Sequence, residues 1–443
     1  MQIDKKKNEE HREFIPHAQL TCGQILSLIQ RMFIECNSFY ASYTVRIAYL
    51  CYLFASNLPS QKKIDVQKAV LLGLFRNVGD YHFAVEKVMD YDDLTEQDIK
   101  ERYVYSYAWV KNMTPISELA QAYLFYDTDY NPKLAEKNIM LEYGSIVFVA
   151  ERIVKLLRSG GSVDNPEDLY RYGITRLNSE YVNLFKKLDE KWQVSTNLSY
   201  SVDKDGKEQM PPCAKYMEDV YQSFCFSRED TDKFFKTLVS VIDFKSSFTV
   251  WHTIHTAGYA CSLGKFYGCT EDIINYLFTA GVLHDIGKIA MPQGILESSG
   301  KLRKWEFRVI QTHVTKTEQM VKDLVNPIIA KMAYRHHEKL NGQGYPHGLT
   351  DKDLTVPERI VQVADVLSAL VDKRSYKDEM SEDQLLEIFK EMVDKGELDP
   401  SIVSLVENGF GVLQAHRDNY SNLLILPLGN VEIDFWDELS LSL

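Results

Sequence analysis

Two pairs of neighbouring side chains have the chemistry of metal ligands. The run Arg335 to Pro346 reads Arg-His-His-Glu-Lys-Leu-Asn-Gly-Gln-Gly-Tyr-Pro, and the earlier run Leu283 to Lys288 contains a His-Asp pair. Imidazole and carboxylate groups are common protein ligands of iron, manganese and zinc. A Gly-rich turn that follows two adjacent histidines is rarely needed for packing alone, so the sequence predicts a metal cluster.

Composition limits the classes of protein that this chain can belong to. It has 443 residues, 45% of them hydrophobic, and a formal net charge of −13 at pH 7. This suits a folded chain of two or three domains and argues against binding of a nucleic-acid polymer, although it permits a small phosphate substrate. No apolar run approaches the roughly 18 residues of a membrane span. The N-terminus is too polar for a signal peptide, and the seven cysteines include no CxxC pair. We expect a cytoplasmic protein with no membrane association.

The elements that must position these ligands are predicted to be helices. Apolar residues recur at intervals of three and four in residues 43–57, 232–243, 306–325 and 383–394. The one predicted β-hairpin lies in residues 423–433, around Gly429-Asn430. Residues 194–218 are polar and contain a Pro-Pro pair, which is typical of a linker. The fold class is therefore all-α, with a small hairpin near the end of the chain.

An internal repeat divides the chain into two copies of one helical unit. Three segments recur in the same order and at similar spacing, namely 38–45 with 247–254, 73–79 with 281–287, and 146–151 with 360–365. The first copy lacks the ligand types of the second, because it has Tyr43 for His252, Arg76-Asn77 for His284-Asp285, and roughly Tyr126-Asp127 for His336-His337. Arginine cannot ligate a metal, and tyrosine and asparagine are poor substitutes. We interpret the first copy as a regulatory, dimerising or lid-forming domain.

The second copy resembles the HD-GYP family, a bacterial branch of the HD superfamily of metal-dependent phosphohydrolases. The resemblance covers about residues 230–412 and rests on five motifs, which are His284-Asp285-Ile286-Gly287-Lys288, His313, the run His336 to Pro346, Ala364-Asp365, and Arg374-Ser375-Tyr376-Lys377. It implies two tandem HD-type helical bundles, the second an HD-GYP domain. The predicted division is a degenerate HD-like domain (1–193), a linker (194–229), a catalytic domain (230–415) and a C-terminal extension (416–443).

The resemblance implies a cluster of two divalent metal ions, iron or manganese. By position, Asp285 would bridge both ions. One ion would also take His252, His284 and Asp365, and the other His313, His336 and His337. A bridging carboxylate can hold two metals about 3.5–4 Å apart, where a water ionises and attacks phosphorus in line. Some relatives hold a third ion with a glutamate at the position that Phe248 occupies here, so we expect a two-metal site.

Further residues are predicted to contact the substrate, a cyclic dinucleotide. Lys288 lies one turn beyond His284, and we expect it to act with Asp285 in catalysis by binding a phosphate oxygen or protonating the leaving oxygen. In the family, the positions of Arg374 and Lys377 hold the substrate phosphates. Gly344 and Tyr345 belong to the loop that shapes the mouth of the site, and Tyr345 either stacks on a base or packs the loop.

Hydrolysis of cyclic di-GMP or 3′,3′-cyclic GMP-AMP is the leading hypothesis that the resemblance supports, with a linear dinucleotide as the product. The sequence does not choose between these two messengers, nor between a linear dinucleotide and two mononucleotides. A cyclic dinucleotide sensor without turnover and a di-iron oxygenase of the HD fold are the alternatives. Intact ligands argue against the sensor, and the Arg374/Lys377 pair argues against the oxygenase. A diguanylate cyclase and a second copy of this chain are candidate protein partners.

Overall fold

A computed structural model describes nine stretches of the chain, which are residues 15–83, 96–125, 130–164, 177–204, 209–242, 247–298, 300, 302–371 and 380–424. Regular structure in these stretches is helical, and they contain no β-strand, so the predicted all-α fold is confirmed. An isolated β-bridge joins Asn341 and Thr350. The hairpin predicted around Gly429-Asn430 lies outside the described residues. No helix of the described residues is both long and apolar enough to cross a membrane.

The described residues form two compact units. The N-terminal unit contains residues 21–242, and the C-terminal unit contains residues 247–424 together with residues 15–20. Residues 15–20 therefore belong to the same unit as the predicted metal ligands, although more than two hundred residues separate the two in sequence. The backbone N–H groups of His17 and Gln19 donate to the Asn275 Oδ1 and Thr279 Oγ1 atoms, both at 2.9 Å. Leu20 is buried beside them.

The N-terminal unit is a helical bundle. Its helices begin at residues that can cap them, since Thr21 and Gln24 form a capping box on the first helix and Asn37 accepts hydrogen bonds from the first turn of the second. A 3-10 helix, Ser117–Phe125, packs on the fifth and seventh helices. The helices are α1 (Cys22–Cys36), α2 (Ser38–Asn57), α3 (Val66–Phe75), α4 (Val78–Phe83), α5 (Glu96–Met113), α6 (Pro132–Ala135), α7 (Ile139–Arg158), α8 (Ser179–Trp192), α9 (Val194–Asn197), α10 (Cys213–Gln222) and α11 (Arg228–Ile242).

Residues 194–229, which the sequence analysis predicted to be a linker, include helical structure. They contain α9 and α10, and α10 packs against α1 and α2. Cys213, Met217 and Tyr221 of α10 are buried at four-residue intervals, while polar residues cover the outer face. The Pro-Pro pair comes just before this helix, where proline is well tolerated. Helix α11 also packs on α1 and α5, so the N-terminal unit extends through it, beyond the predicted start of the catalytic domain at residue 230.

The C-terminal unit is built around one long helix. Helix α12 packs against α13, α17 and α19. Gly281 permits the close approach of α13 to α12, since a Cβ at this position would lie 2.5 Å from the Cα of Ala257. The last helix runs on through residue 421, past the predicted domain end at 415. The helices are α12 (Ser247–Tyr267), α13 (Glu271–Leu283), α14 (Gln293–Leu296), α15 (Lys304–Val321), α16 (Pro327–Tyr334), α17 (Val356–Val371), α18 (Glu382–Asp394) and α19 (Pro400–Ser421), with a 3-10 helix at Ile286–Ala290.

Equivalent hydrogen bonds occur at matching positions of the two units. In the C-terminal unit, Thr317 Oγ1 accepts from the Gly287 N–H at 3.1 Å and donates to the His284 carbonyl at 3.0 Å. In the N-terminal unit, Ser106 Oγ accepts from the Gly79 N–H at 3.0 Å and donates to the Arg76 carbonyl at 3.0 Å. These bonds support the alignment of residues 73–79 with 281–287 that the sequence suggested.

Candidate metal centre

Seven side chains from five parts of the C-terminal unit converge on one point. The predicted ligands lie on α12, at the end of α13, on α15, just after α16, and on α17, and six of the seven are buried. The seventh is His337, whose side chain is 28% exposed and therefore marks the side of the cluster that opens to solvent. The seven side chains are His252, His284, Asp285, His313, His336, His337 and Asp365.

Asp285 lies between two groups of histidines. Its Oδ2 atom is 3.2 Å from His284 Nε2 and 3.6 Å from His252 Nε2. Its Oδ1 atom is 3.2 Å from His313 Nε2 and 3.8 Å from His336 Nε2. Each oxygen thus faces a different pair of imidazoles, as a carboxylate that bridges two ions must do.

Asp365 completes one of these groups and touches the other. Its Oδ1 atom is 3.0 Å from His252 Nε2 and 3.6 Å from His284 Nε2, and its Oδ2 atom is 3.6 Å from His337 Nδ1. Ligand atoms within 4.8 Å of one another form three groups, namely His252, His284 and Asp365; His313, His336 and His337; and His284, Asp285 and His336. Apart from the bridging Asp285, the first two groups are the residues that the sequence analysis assigned to the two ions.

Backbone carbonyls orient three of the histidines. Nδ1 of His284, His313 and His336 donates to the carbonyl three residues earlier, at 2.7, 2.6 and 2.7 Å. The ring of His252 is oriented differently, since its Nδ1 donates to Ser368 Oγ at 3.0 Å. These hydrogen bonds fix the tautomer and leave each Nε2 facing the centre, which is how metal-binding histidines are held. Sequence reasoning missed Ser368, which lies one turn beyond Asp365 on α17 and carries no motif signal.

The electrostatics of the cluster favour ionised carboxylates at Asp285 and Asp365 and neutral imidazoles at His336 and His337. Burial raises the pKa of Asp285, but the charges of His284 and Lys288 outweigh this effect and hold the pKa well below its ordinary value. Burial also raises the pKa of Asp365, but its interactions with His252, and then with His337 and His336, lower the pKa below its ordinary value. Burial lowers the pKa of His336 well below its ordinary value and that of His337 to about 3. These are the protonation states that bind metal ions.

The cluster fits the metal ions that the sequence implied. His284 Nε2 and Asp285 Oδ1 are buried, and neither makes a hydrogen bond of acceptable geometry within the described part of the chain. A buried polar atom without a partner is unfavourable, and a metal ion would satisfy both atoms. Five imidazoles and two carboxylates are a donor set that suits iron or manganese.

Lys288 lies at the edge of the cluster. It belongs to the 3-10 helix Ile286–Ala290, and its ammonium group forms an ion pair with Asp285 Oδ2. Its side chain is 22% exposed, so the ammonium can also be reached from solvent. Gly287 lets this helix approach α15, since a Cβ there would lie 2.0 Å from the His313 carbonyl oxygen. The structure thus brings Lys288 and Asp285 together, as the sequence analysis predicted.

The loop Gly342–Pro346 lies against the exposed histidine. The Tyr345 ring centroid is 4.9 Å from that of His337, and the Tyr345 N–H donates to the His337 carbonyl at 3.1 Å. Gly344 passes so close to Glu338 that a Cβ would lie 2.4 Å from the Glu338 Cα. The buried Glu338 carboxylate accepts the backbone N–H groups of His347 and Leu349 at 2.7 and 2.8 Å and so anchors the far end of the loop.

Three predicted positions cannot be placed. Arg374 and Lys377 lie outside the described residues, and the side chain of Phe248 is likewise outside them. Phosphate binding by the basic pair and the two-ion stoichiometry therefore stay predictions.

Buried ion pairs occupy the corresponding region of the N-terminal unit. Arg76, which aligns with His284, pairs with Glu151 at 2.7 Å, and Lys155 pairs with the same carboxylate at 2.6 Å. Arg102 pairs with Asp80 at 2.9 Å. Guanidinium and ammonium groups thus supply the positive charge in this unit, and Arg76 cannot ligate a metal. Tyr126-Asp127, aligned with His336-His337, lies outside the described residues.

The fold and the site define a helical HD domain, and comparison with known proteins agrees. The HD domain family model matches residues 236–402. The 3'3'-cGAMP-specific phosphodiesterase 1 of Vibrio cholerae is 26% identical over 82% of this chain and 85% of its own length. The cyclic di-GMP phosphodiesterase response regulator RpfG of Xanthomonas campestris is 34% identical over 39% of this chain and 46% of its own length.

The fold has a solved counterpart. The crystal structure of a cyclic GMP-AMP specific phosphodiesterase from V. cholerae covers 90% of this chain and 98% of its own, with a TM-score of 0.53 and 16% sequence identity. Residues 236–402 thus match the HD domain family, and the chain is similar to the V. cholerae 3'3'-cGAMP-specific phosphodiesterase 1 over most of its length. The predicted resemblance to HD-GYP cyclic dinucleotide phosphodiesterases is confirmed.

Proposed function

We propose that the protein is a metal-dependent phosphodiesterase that hydrolyses a 3′,5′-linked cyclic dinucleotide to the linear dinucleotide. The observation that carries this proposal is the position of Asp285, whose two oxygens face two separate pairs of imidazoles. Two divalent metal ions, iron or manganese, would be held by the seven ligands described above. When bound, such a pair lowers the pKa of water and stabilises charge that develops on a transferring phosphoryl group.

The surrounding side chains would bind and orient the substrate. The ammonium of Lys288 would hold a non-bridging phosphate oxygen or deliver a proton to the leaving oxygen, because it lies at the cluster and remains reachable from solvent. The Tyr345 ring, fixed against His337, offers a surface for a nucleobase at the solvent side of the cluster. Arg374 and Lys377 would hold the phosphates, as the family resemblance implies.

We propose 3′,3′-cyclic GMP-AMP as the preferred substrate, with cyclic di-GMP as the competing candidate. This choice is supported by the share of the chain that each relative matches. The V. cholerae relative that matches both halves of this chain is named for the mixed messenger, whereas the cyclic di-GMP relative reported above matches only 39% of the chain. Selectivity between the two would depend on hydrogen bonds to one base edge, which a few groups around the pocket can provide.

The test is product formation by protein loaded with manganese or iron and offered each cyclic dinucleotide separately. The expected result is conversion of 3′,3′-cyclic GMP-AMP to a linear dinucleotide, with slower turnover of cyclic di-GMP and loss of both in a His284→Ala/Asp285→Ala variant. The matched control is His347→Gln, because His347 is 43% exposed and lies outside the ligand set. Absence of turnover from protein that contains two metal ions per chain would refute the proposal.

A further inference from the structure

The N-terminal unit contains a cavity of about 510 Å³ that is unrelated to the metal centre. We call it the aromatic pocket and define it by six of its lining residues, which are Tyr49, Tyr52, Asn57, Trp192, Asn197 and Tyr216. The C-terminal half of α2 forms one wall, and the ends of α8 and α9 and the start of α10 form the other. Its volume lies within the range of small-molecule sites, roughly 300–1,000 Å³.

Aromatic rings dominate the walls of the aromatic pocket. The Tyr216 ring meets Tyr49 and Tyr52 edge-on, with centroid separations of 5.7 and 5.8 Å. Two of the rings face solvent, since Trp192 is 46% exposed and Tyr216 is 45% exposed. Large aromatic side chains left exposed around a concavity favour a planar ligand, because covering their faces removes apolar area from water.

Amide oxygens add hydrogen-bond acceptors to these walls. The Asn57 side-chain nitrogen donates to the Leu53 carbonyl at 2.8 Å, and the Asn197 side-chain nitrogen donates to the Tyr49 hydroxyl at 3.2 Å. Both side-chain nitrogens thus already donate within the N-terminal unit. Neither amide oxygen accepts a hydrogen bond within the described stretches of the chain, so both remain for a ligand that donates.

The charge of the lining narrows the class of ligand. None of the described residues that line the aromatic pocket is acidic or basic, so the walls do not recognise a phosphate. The Lys191 ammonium lies 4.8 Å from the Trp192 ring centroid at the rim. A neutral heterocycle with N–H donors on its edge matches aromatic walls and two acceptors. Purine bases have this chemistry, and they stack over a larger area than pyrimidines do.

We propose that the aromatic pocket binds a purine base, as a nucleoside or as the base of a nucleotide whose phosphate lies outside the pocket. The base would lie against the tyrosine and tryptophan rings and donate its edge N–H groups to Asn57 and Asn197. This is a second site, because the described residues that line it all belong to the N-terminal unit, whereas the metal ligands belong to the C-terminal unit. The proposal does not rest on the phosphodiesterase activity.

The experiment is calorimetric titration of the full-length protein with adenosine and with guanosine. Saturable binding of at least one purine nucleoside is expected, at least tenfold tighter than binding of cytidine or of ribose 5-phosphate. Tyr216→Ala should weaken binding about tenfold or more, because one stacking ring is lost. Asn57→Ala should weaken it several-fold. The matched control is Tyr267→Ala, since Tyr267 is 42% exposed and lies in the C-terminal unit.

A parallel titration separates the aromatic pocket from the metal centre. His284→Ala should bind the nucleoside as tightly as the unmodified protein does, whether or not that variant retains metal. Circular dichroism checks that Tyr216→Ala is folded. Three outcomes would overturn the proposal, namely no binding of either purine nucleoside at millimolar concentration, equal binding of ribose 5-phosphate, or binding that His284→Ala abolishes and Tyr216→Ala leaves unchanged.

Discussion

At the scale of single residues, the metal centre depends on partners that the ligands themselves do not reveal. Ser368 Oγ accepts from His252 Nδ1 at 3.0 Å and donates to the His252 carbonyl at 3.2 Å. It therefore fixes the rotation of the imidazole that completes one ligand group. A side chain that hydrogen-bonds to the second ring nitrogen of a metal-binding histidine tunes the basicity and orientation of that histidine.

Replacement of Ser368 by alanine should lower metal affinity. We expect Ser368→Ala to weaken binding of the ion that His252 would ligate about 10- to 100-fold, because the His252 ring loses the group that orients it. Titration of the apoprotein with manganese against a competing chelator measures the change. Ser368→Thr should keep most of the metal affinity, because threonine retains the hydroxyl group. If Ser368 only filled space, the hydroxyl group would not matter.

A matched serine controls this prediction. Ser404 on α19 donates to the Ser401 carbonyl at 2.8 Å and lies far from the ligand set in sequence. Ser404→Ala should leave the metal titration unchanged. Equal metal affinity in Ser368→Ala and the unmodified protein would show that Ser368 has no part in the site.

The residue scale also shows what the sequence could predict. His284-Asp285 and His336-His337 were recognisable because few residue types ligate metals. The order of these residues along the chain also matches the motifs of the family. Ser368 was not, because serine is common in helices and its role depends on a distance across two helices. Thr317 is not a metal-ligand type and drew no prediction, yet the structure shows it hydrogen-bonded to both Gly287 and His284.

At the scale of elements, the close contact between the 3-10 helix Ile286–Ala290 and α15 sets the position of several ligands. Gly287 and Thr317 form this contact, and His284, Asp285 and His313 lie beside it. The N-terminal unit uses Gly79 and Ser106 in the same way, since a Cβ at Gly79 would lie 2.2 Å from the Arg102 carbonyl oxygen. The contact therefore belongs to the duplicated scaffold and persists in a unit whose ligand positions have changed.

Replacement of Gly287 by alanine should separate these elements and disturb the ligands. A Cβ would lie 2.0 Å from the His313 carbonyl oxygen, so the backbone must shift. We expect Gly287→Ala to destabilise the protein by about 1–3 kcal/mol or more and to reduce metal content below one ion per chain. Urea unfolding and elemental analysis measure the two effects. The control is Gly294→Ala, where a Cβ meets no atom within 4 Å. If both variants kept full metal content, the contact would not position the ligands.

Element prediction failed where helices were short or preceded by proline. Residues 194–229 looked like a linker because of their polar stretch and Pro-Pro pair, yet α10 buries Met217 and Tyr221 against α1 and α2. A ten-residue helix provides only three turns of periodicity, which the surrounding loop signals obscured. The long helices α2 and α15 were recognisable because their apolar pattern continues over many turns.

At the scale of the whole molecule, one compact unit combines two stretches of chain that lie far apart in the sequence. Residues 15–20 belong to the C-terminal unit, whereas the predicted domain boundaries placed them with the N-terminal domain. Two backbone N–H groups of this segment donate to Asn275 and Thr279, four residues apart on α13, and both of those side chains are buried. Helix α13 ends at the residue before His284, so the segment braces the helix that leads into the metal centre.

Deletion of residues 1–20 should therefore loosen α13. Removal of the segment exposes the Asn275 and Thr279 side chains and removes the buried Leu20. We expect faster amide hydrogen exchange across residues 271–283 and weaker metal binding, since the His284-Asp285 pair follows this helix directly. Deletion of residues 1–14 is the matched control, because it keeps both hydrogen bonds, and it should leave exchange in α13 unchanged. The same reasoning predicts that a fragment that starts at residue 225 is less stable than the C-terminal unit of the full chain. If deletion of residues 1–20 left both the amide exchange and the metal affinity unchanged, the segment would not stabilise α13.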